Sequence, residues 1–145
     1  METTEKKPSK ASLATLQQAA HDVFAPWVRE LDLKLVEVHE GEAVFELPVA
    51  AKHVHGGGVL CGQTMMAAAD SAMVIAVMTH LSAFRPMTTV QLQTSFLRQV
   101  AGTSGSARVV ARVLRMGRSL VFGEVQILNA DDELAAHATT TYALL

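Results

Sequence analysis

Asp70 is the residue whose setting first raises the question of chemistry. It is the only Asp, Glu, Lys or Arg between Lys52 and Arg85. At helical spacing its neighbours are Met66, Ala67, Met73 and Val74, all apolar. A carboxylate in such surroundings is costly unless a partner satisfies it, and a carboxylate held in an apolar site is a candidate general base. The alternative is an aspartate that faces solvent or a subunit boundary. Shortly before it stands the run His55-Gly56-Gly57-Gly58-Val59-Leu60-Cys61-Gly62. Glycines ahead of a helix let the backbone approach a ligand, and the first N–H groups of a helix are unpaired donors that can hold a developing oxyanion.

Other chemistries fit less well. The run has no Gly-Lys-Ser/Thr and lacks the spacing of a dinucleotide loop. His55-Gly56-Gly57-Gly58 looks like a lipase oxyanion segment, but no Gly-x-Ser-x-Gly elbow accompanies it. His53 and His55 form a His-x-His pair without companions at metal-ligand spacing, so no metal site is expected. Cys61 precedes a helix, where thiolates are favoured, yet no base is evident beside it and a buried, inert thiol is the simpler reading.

The chain has 145 residues, enough for one domain. Half of them are hydrophobic and 18% charged, which excludes a disordered chain. Twelve basic against 14 acidic side chains give a net charge of −2, unlike a nucleic-acid binder. A single cysteine excludes an intrachain disulfide and fits a cytoplasmic location. Residues 1–10 read as a polar, disordered leader without a signal-peptide core, and residues 11–145 as the domain. The apolar stretch from Met65 to Met78 is too short to span a membrane.

These residues need elements to position them. Ser12 can cap a helix running to about Phe24, and Pro26 breaks it. Strands are expected over 34–38 and 43–47, joined by a turn at Glu40-Gly41-Glu42. The strongest helical pattern spans Gln63 to His80 and is apolar nearly all round, so it must be buried. Strands follow over 89–97, 107–114, 120–128 and 134–142. In the first of them Val90, Leu92 and Phe96 are expected on one face. The sum is an α+β protein: an antiparallel β-sheet wrapped around a long central helix, with an N-terminal helix added. So apolar a helix in so small a domain also calls for self-association.

With these elements in place, Leu31 to Leu145 resembles the hotdog-fold thioesterases of the phenylacetate-pathway and 4-hydroxybenzoyl-CoA type. Their motif is Asn-x-x-Gly-x-x-His-Gly-Gly, followed after six residues by an acid. Here His55 stands at the Asn, Gly58 at the first Gly and Cys61-Gly62-Gln63 at His-Gly-Gly, which brings Asp70 to the catalytic acid. The other register, with His55-Gly56-Gly57 at His-Gly-Gly, brings Thr64 to the acid position and is rejected.

The resemblance implies an acyl-CoA thioesterase acting without a cofactor, CoA being part of the substrate. It implies a homodimer or homotetramer with sites at the subunit interface. Asp70 would be base or nucleophile, Gly62 the N–H donor to the thioester carbonyl, and His55 and Thr89 would position substrate or water. Gln63 would orient the carboxylate. Gly57, Gly58, Cys61, Met66 and Met73 would line the substrate, and Arg98, Arg115 and Arg118 would meet CoA phosphates. The motif departs from the family at His55 and Cys61. A non-catalytic acyl-CoA or lipid-binding protein is therefore the alternative. A hotdog hydratase ranks lower, because Ile75 stands where that chemistry needs a His.

Overall fold

The computed structural model describes residues 5–145. Two helices come first, α1 (Leu13–Val23) and α2 (Pro26–Arg29). Ser12 caps α1 by accepting from the Thr15 N–H, and Pro26 starts α2 at a position where its missing N–H costs nothing. The strands β1 (Lys34–His39) and β2 (Glu42–Pro48) form the expected hairpin. A short 3₁₀ turn, Ala51–His53, leads into the glycine loop and then α3 (Gly62–Met78). The remaining strands are β3 (Met87–Phe96), β4 (Ser106–Met116), β5 (Leu120–Leu128) and β6 (Leu134–Leu144).

All six strands join in one antiparallel sheet in the order β1-β2-β4-β5-β6-β3. The sheet curls around α3, which is the hotdog arrangement. Ala68, Ala69, Ala72, Met73, Ile75, Ala76 and Val77 of α3 are fully buried with Phe45, Leu47, Val109, Val125 and Ile127 of the strands. The small alanines let helix and sheet approach closely. One stripe of α3 escapes the sheet: Gln63, Met66, Ala67, Asp70 and Val74 are exposed or half-buried and recur at helical spacing.

The edge strand β3 lies beside β6 on one side and has no partner on the other. Its register skips a residue between Thr89 and Gln91, a bulge at Val90. The expected face shared by Val90, Leu92 and Phe96 is therefore corrected. The extra residue turns Val90 outward, 60% exposed, while Thr89 and Leu92 both face α3.

The leader also differs from expectation. Lys7 accepts from the Glu40 N–H, Lys10 donates to the Thr79 carbonyl, and the Lys6 ammonium lies 2.8 Å from Glu42. These bonds lay residues 6–10 along the β1–β2 turn and the end of α3, so they are not a loose tail. The first four residues of that leader lie outside the described residues. No helix among the described residues is long and apolar enough to cross a membrane.

Candidate active site

The carboxylate of Asp70 projects from the half-buried stripe of α3 toward β3 and β6. Its Oδ1 accepts from the Thr89 hydroxyl at 2.9 Å. The same oxygen accepts a hydrogen bond from the Tyr142 hydroxyl, which also lies 2.7 Å from the Asp70 main-chain carbonyl. Oδ2 has no partner among the described residues and is left for a ligand or water. Tyr142 is 2% exposed. Burial above all, and then the adjoining Asp70 charge, push its hydroxyl far above the ordinary phenol range. Tyr142 is therefore an O–H donor at every working pH, and it locks one side of the carboxylate. The bulge at Val90 is what brings Thr89 onto this face.

About 12 Å away along the helix axis, at 1.5 Å per residue, Gly62 opens α3. Cys61 sits at the cap position without a side-chain cap. The N–H groups of Gly62, Gln63 and Thr64 have no partner among the described residues. A Cβ at Gly62 would come within 3.2 Å of the Phe96 ring, so the ring packs close against this turn of backbone. Gly58 has φ +81, a value that favours glycine, and its N–H closes the loop onto the His55 carbonyl at 2.9 Å.

The other expected residues divide in two. His55, Gly62, Phe96 and Arg98 line an open cavity of about 400 Å³. Asp70 and Thr89 line a separate one of about 230 Å³. Within one chain the structure thus brings Asp70 to Thr89 and His55 to Gly62, but not the two pairs to each other. The His55 imidazole is turned back on its own loop, with Nδ1 accepting from the Gly57 N–H at 2.9 Å. Gln63 is exposed and makes no side-chain hydrogen bond among the described residues, so it does not touch the Asp70 carboxylate. Met66 is half-buried on the open stripe. Met73 is in the core, its sulfur and methyl packed over Gly123, which places it away from any open groove.

Arg98 stands at the far end of β3, donating to the Leu134 carbonyl and 3.6 Å from Glu133. Arg115 and Arg118 are exposed at the β4–β5 turn, near Arg85, whose guanidinium reaches the Arg118 carbonyl. The strands put these two groups at opposite ends of the sheet.

Cys61 is not alone, which its sequence context did not reveal. Its Sγ lies 3.0 Å from the Thr64 hydroxyl, which is 3.2 Å from His53 Nδ1. His53 Nε2 is 3.3 Å from the Glu30 carbonyl. Because that carbonyl can only accept, Nε2 is the donor and Nδ1 accepts from Thr64. This chain ties α2 to the start of α3 and occupies His53, while His55 points elsewhere. Among the described residues no three His, Cys, Asp or Glu side chains converge as metal ligands would.

Tyr142 is the site residue that sequence reasoning missed. The available signal was its place on the inward face of β6, in step with Ala136, Ala138 and Thr140. A buried tyrosine needs a partner for its hydroxyl, and Asp70 is the only charge on the helix this face covers.

Comparison with known proteins bears on the family and the fold. A Saccharolobus solfataricus protein named "Putative esterase" is 30% identical over 79% of this chain and 80% of its own length. A conserved protein of Pseudomonas aeruginosa has a similar solved structure, with a TM-score of 0.79 and 29% identity over 86% of this chain and 98% of that one. The Escherichia coli PaaI protein from the phenylacetic acid degradation operon shares the fold, with a TM-score of 0.78 and 20% identity over 92% and 96% of the two chains. The model of the thioesterase superfamily matches residues 51–136, which span the glycine loop, α3, Asp70 and Thr89, and the chain belongs to that superfamily.

Proposed function

We propose that the protein hydrolyses an acyl-CoA thioester to a carboxylic acid and free CoA, with Asp70 as the reacting carboxylate. The observation that carries this reading is the asymmetric binding of Asp70. Two hydroxyl donors hold Oδ1, and Oδ2 is free of protein partners beside the smaller cavity. Such a carboxylate is preorganised to take a proton from water, or to attack the carbonyl itself.

The carbonyl oxygen would be held by the unpaired N–H of Gly62. Water adds to the carbonyl carbon, Asp70 takes its proton, and the C–S bond breaks as the proton passes to the CoA sulfur. In the nucleophilic variant, a mixed anhydride on Asp70 is hydrolysed in a second step. Label found in the Asp70 carboxylate after turnover in ¹⁸O-water identifies the anhydride route, opened by water at the Asp70 carbon, since the general-base route places label only in the product acid. No metal or cofactor takes part in either route.

Asp70 and Gly62 of one chain are too far apart to share a carbonyl, and the unpaired edge of β3 supplies the remedy. Antiparallel pairing of two β3 strands, centred near Leu92, sets the Thr89 end of one copy against the Phe96 end of the other. Asp70 then faces Gly62 and His55 of the second copy. The same pairing carries Arg98 of the second copy toward Arg115 and Arg118, which collects the cations that CoA phosphates require. The active species is therefore a homodimer, or a tetramer built from it. A cytoplasmic location belongs to this reading, since acyl-CoA and a free thiol both fit a reducing compartment.

The test is release of CoA from a panel of short, medium and aromatic thioesters, with Asp70→Asn in parallel. Absence of release by the wild type, or full activity in the variant, would refute the mechanism. One observation favours the binding-only alternative: the His55 imidazole is engaged by its own loop rather than free for substrate. Saturable binding of CoA esters without turnover would establish that alternative.

A further inference from the structure

Charge is distributed unevenly along the sheet. One end of the molecule is built from segments that hydrogen bonds tie together. The Gly41 carbonyl of the β1–β2 turn accepts from the Val113 N–H at 2.8 Å, and the Lys7 carbonyl accepts from the Glu40 N–H at 2.9 Å. The Lys10 N–H reaches the end of α3 at the Thr79 carbonyl. Arg85, in the segment after α3, donates to the Arg118 carbonyl of the β4–β5 turn. The Ser119 carbonyl of the same turn accepts from Leu144 at the end of β6.

This end gathers cations. The leader brings Lys6, Lys7 and Lys10, and the segment after α3 brings Arg85. Arg112, Arg115 and Arg118 stand at the end of β4 and in the turn beyond it. Together they are more than half of the chain's 12 basic side chains. The carboxylates here are Glu5, Glu40 and Glu42. Glu42 is met by Lys6 and Arg112, and Glu40 lies 3.6 Å from His80. Lys7, Lys10, Arg85, Arg115 and Arg118 are exposed and pair with no carboxylate among the described residues.

The opposite end is acidic. Asp131, Asp132 and Glu133 stand in the β5–β6 turn, and β5 separates that turn from the β4–β5 turn by about 30 Å. Charges interact over about 10 Å at 0.1 M salt. A surface that approaches the basic end therefore meets its cations and not the net charge of −2. Large apolar side chains are exposed among those cations. Phe84, beside Arg85, is 55% exposed; Leu114, beside Arg115, is 62% exposed; Leu120, just past Arg118, is 42% exposed.

We infer that this end docks on an anionic lipid surface, with Phe84, Leu114 and Leu120 entering the headgroup boundary and the lysines and arginines meeting lipid phosphates. Interfacial binding combines apolar tips, which are buried, with cations, which are drawn to anionic lipid. Charge complementarity selects the occupant, since one anionic bilayer offers both the negative charge and the apolar layer that this end lacks. Coenzyme A alone does not account for it: Lys7, Lys10, Phe84 and Leu114 lie outside the set proposed to hold CoA phosphates. A second copy is not the occupant either, because two such ends repel each other. Thr89 lies near the start of β3, just past Arg85, so docking brings the Asp70 side of the sheet near the lipid, where amphiphilic thioesters partition. Docking needs neither a second copy nor turnover, so it stands or falls apart from the hydrolytic reading.

Sedimentation with vesicles tests it. The probes are vesicles of phosphatidylcholine alone and of phosphatidylcholine mixed with phosphatidylglycerol, at about 0.1 M and about 1 M salt. Wild type should sediment with the mixed vesicles at the lower salt and be released at the higher, where the screening length falls to about 3 Å. Lys7→Gln with Lys10→Gln should weaken the partition about 10-fold or more, as expected for two cations near an anionic surface. Phe84→Ala with Leu114→Ala should weaken it by about the same factor. Asp131→Asn with Asp132→Asn, at the far end, should leave it unchanged. Melting temperatures confirm that each variant is folded.

No sedimentation of wild type with the mixed vesicles would overturn the inference, as would equal binding to neutral ones. Full binding by the lysine variant or by the apolar variant would do the same. So would a far-end variant that changes the partition as much as the lysine variant does, because the protein would then respond to net charge and not to this end. Titration with free CoA covers the remaining occupant: CoA affinity lost in the lysine variant, with no vesicle binding by wild type, would make this end a nucleotide site instead.

Discussion

Tyr142→Phe removes one oxygen atom from the least exposed part of the site and leaves the ring in place. The hydroxyl it deletes donates to Asp70 Oδ1 and approaches the Asp70 carbonyl. That carbonyl also serves the ordinary bonding of α3, so its loss matters less. The carboxylate keeps the Thr89 donor at 2.9 Å. A hydrogen bond to a charged group is worth about 1.5–3 kcal/mol. Asp70 is half-buried and water can replace part of the lost bond, so the lower end, about 1.5 kcal/mol, applies.

That figure has two separable consequences. With one of its two donors gone the Asp70 carboxylate is held less firmly, so kcat should fall about 10-fold while KM changes little, the equivalent of about 1.5 kcal/mol. The melting temperature should fall by roughly 3–6 °C, as expected for a loss of this size in a domain of this length. The assay is kcat and KM for the best thioester, together with thermal melts. A purely structural tyrosine would lower the melting temperature and leave kcat where it was, and that outcome refutes its role as the residue that positions Asp70. Thr89→Ala should lower kcat in the same way. The double variant should lose more than the sum of the two, because both donors share one oxygen.

Three further outcomes test other parts of the structure. Gly123→Ala should destabilise the fold by about 1–3 kcal/mol, because a Cβ there runs into the Met73 methyl and comes within 2.9 Å of the Arg112 carbonyl; Met73→Ala should rescue it only in part, since the carbonyl contact remains, and full rescue in denaturant melts would contradict this. Val90→Lys places a cation on the open edge of β3 and should convert the proposed dimer to a monomer by light scattering, with loss of turnover; a fully active monomer would rule out the composite site. Stability should decline on acidification in two stages, followed as melting temperature against pH. Burial first, and then Lys10, lower the His80 value against the opposing Glu40, so its contribution is complete above 6.5 and is lost as pH falls from there through the folded value. Burial of Glu42 works to raise its value, but Lys6 and Arg112 outweigh it, so that contribution is lost as pH falls below 4.5. His80→Gln should remove the first stage alone, and superimposable curves for wild type and variant would exclude it.

The elements were legible because each is written in a local period. The α3 pattern from Met66 to Val77, the Ser12 cap and the Glu40-Gly41 turn all act within a few residues of themselves, and the structure has all three. The face of β3 was misread for the converse reason. A bulge inserts one residue into the strand without leaving a mark in the alternation, so Val90 was placed with Leu92 and turned out opposite to it. The leader was misread because its polar composition describes solubility, whereas its backbone bonds to Glu40 and Thr79 depend on a turn and a helix end far along the chain.

The site was legible only where one residue carries the information by itself. Asp70 stood out through the absence of any other charge on its helix. Of its partners, Thr89 entered only through the family resemblance and Tyr142 not at all, because both are ordinary strand residues until the sheet closes and sets both hydroxyls on one oxygen. The relation of Asp70 to Gly62 is harder still, for a physical reason. Helix rise alone keeps the acid and the N–H donor of one chain about 12 Å apart, so no packing within the chain can join them. Yet the stripe of α3 that carries Asp70 lies open, and β3 beside it is one of the two free edges of the sheet, β1 being the other. A sheet that curls around a helix must end somewhere, and here it ends at the strand that holds Thr89. In the proposed dimer, that opening is where the second copy supplies the Gly62 N–H.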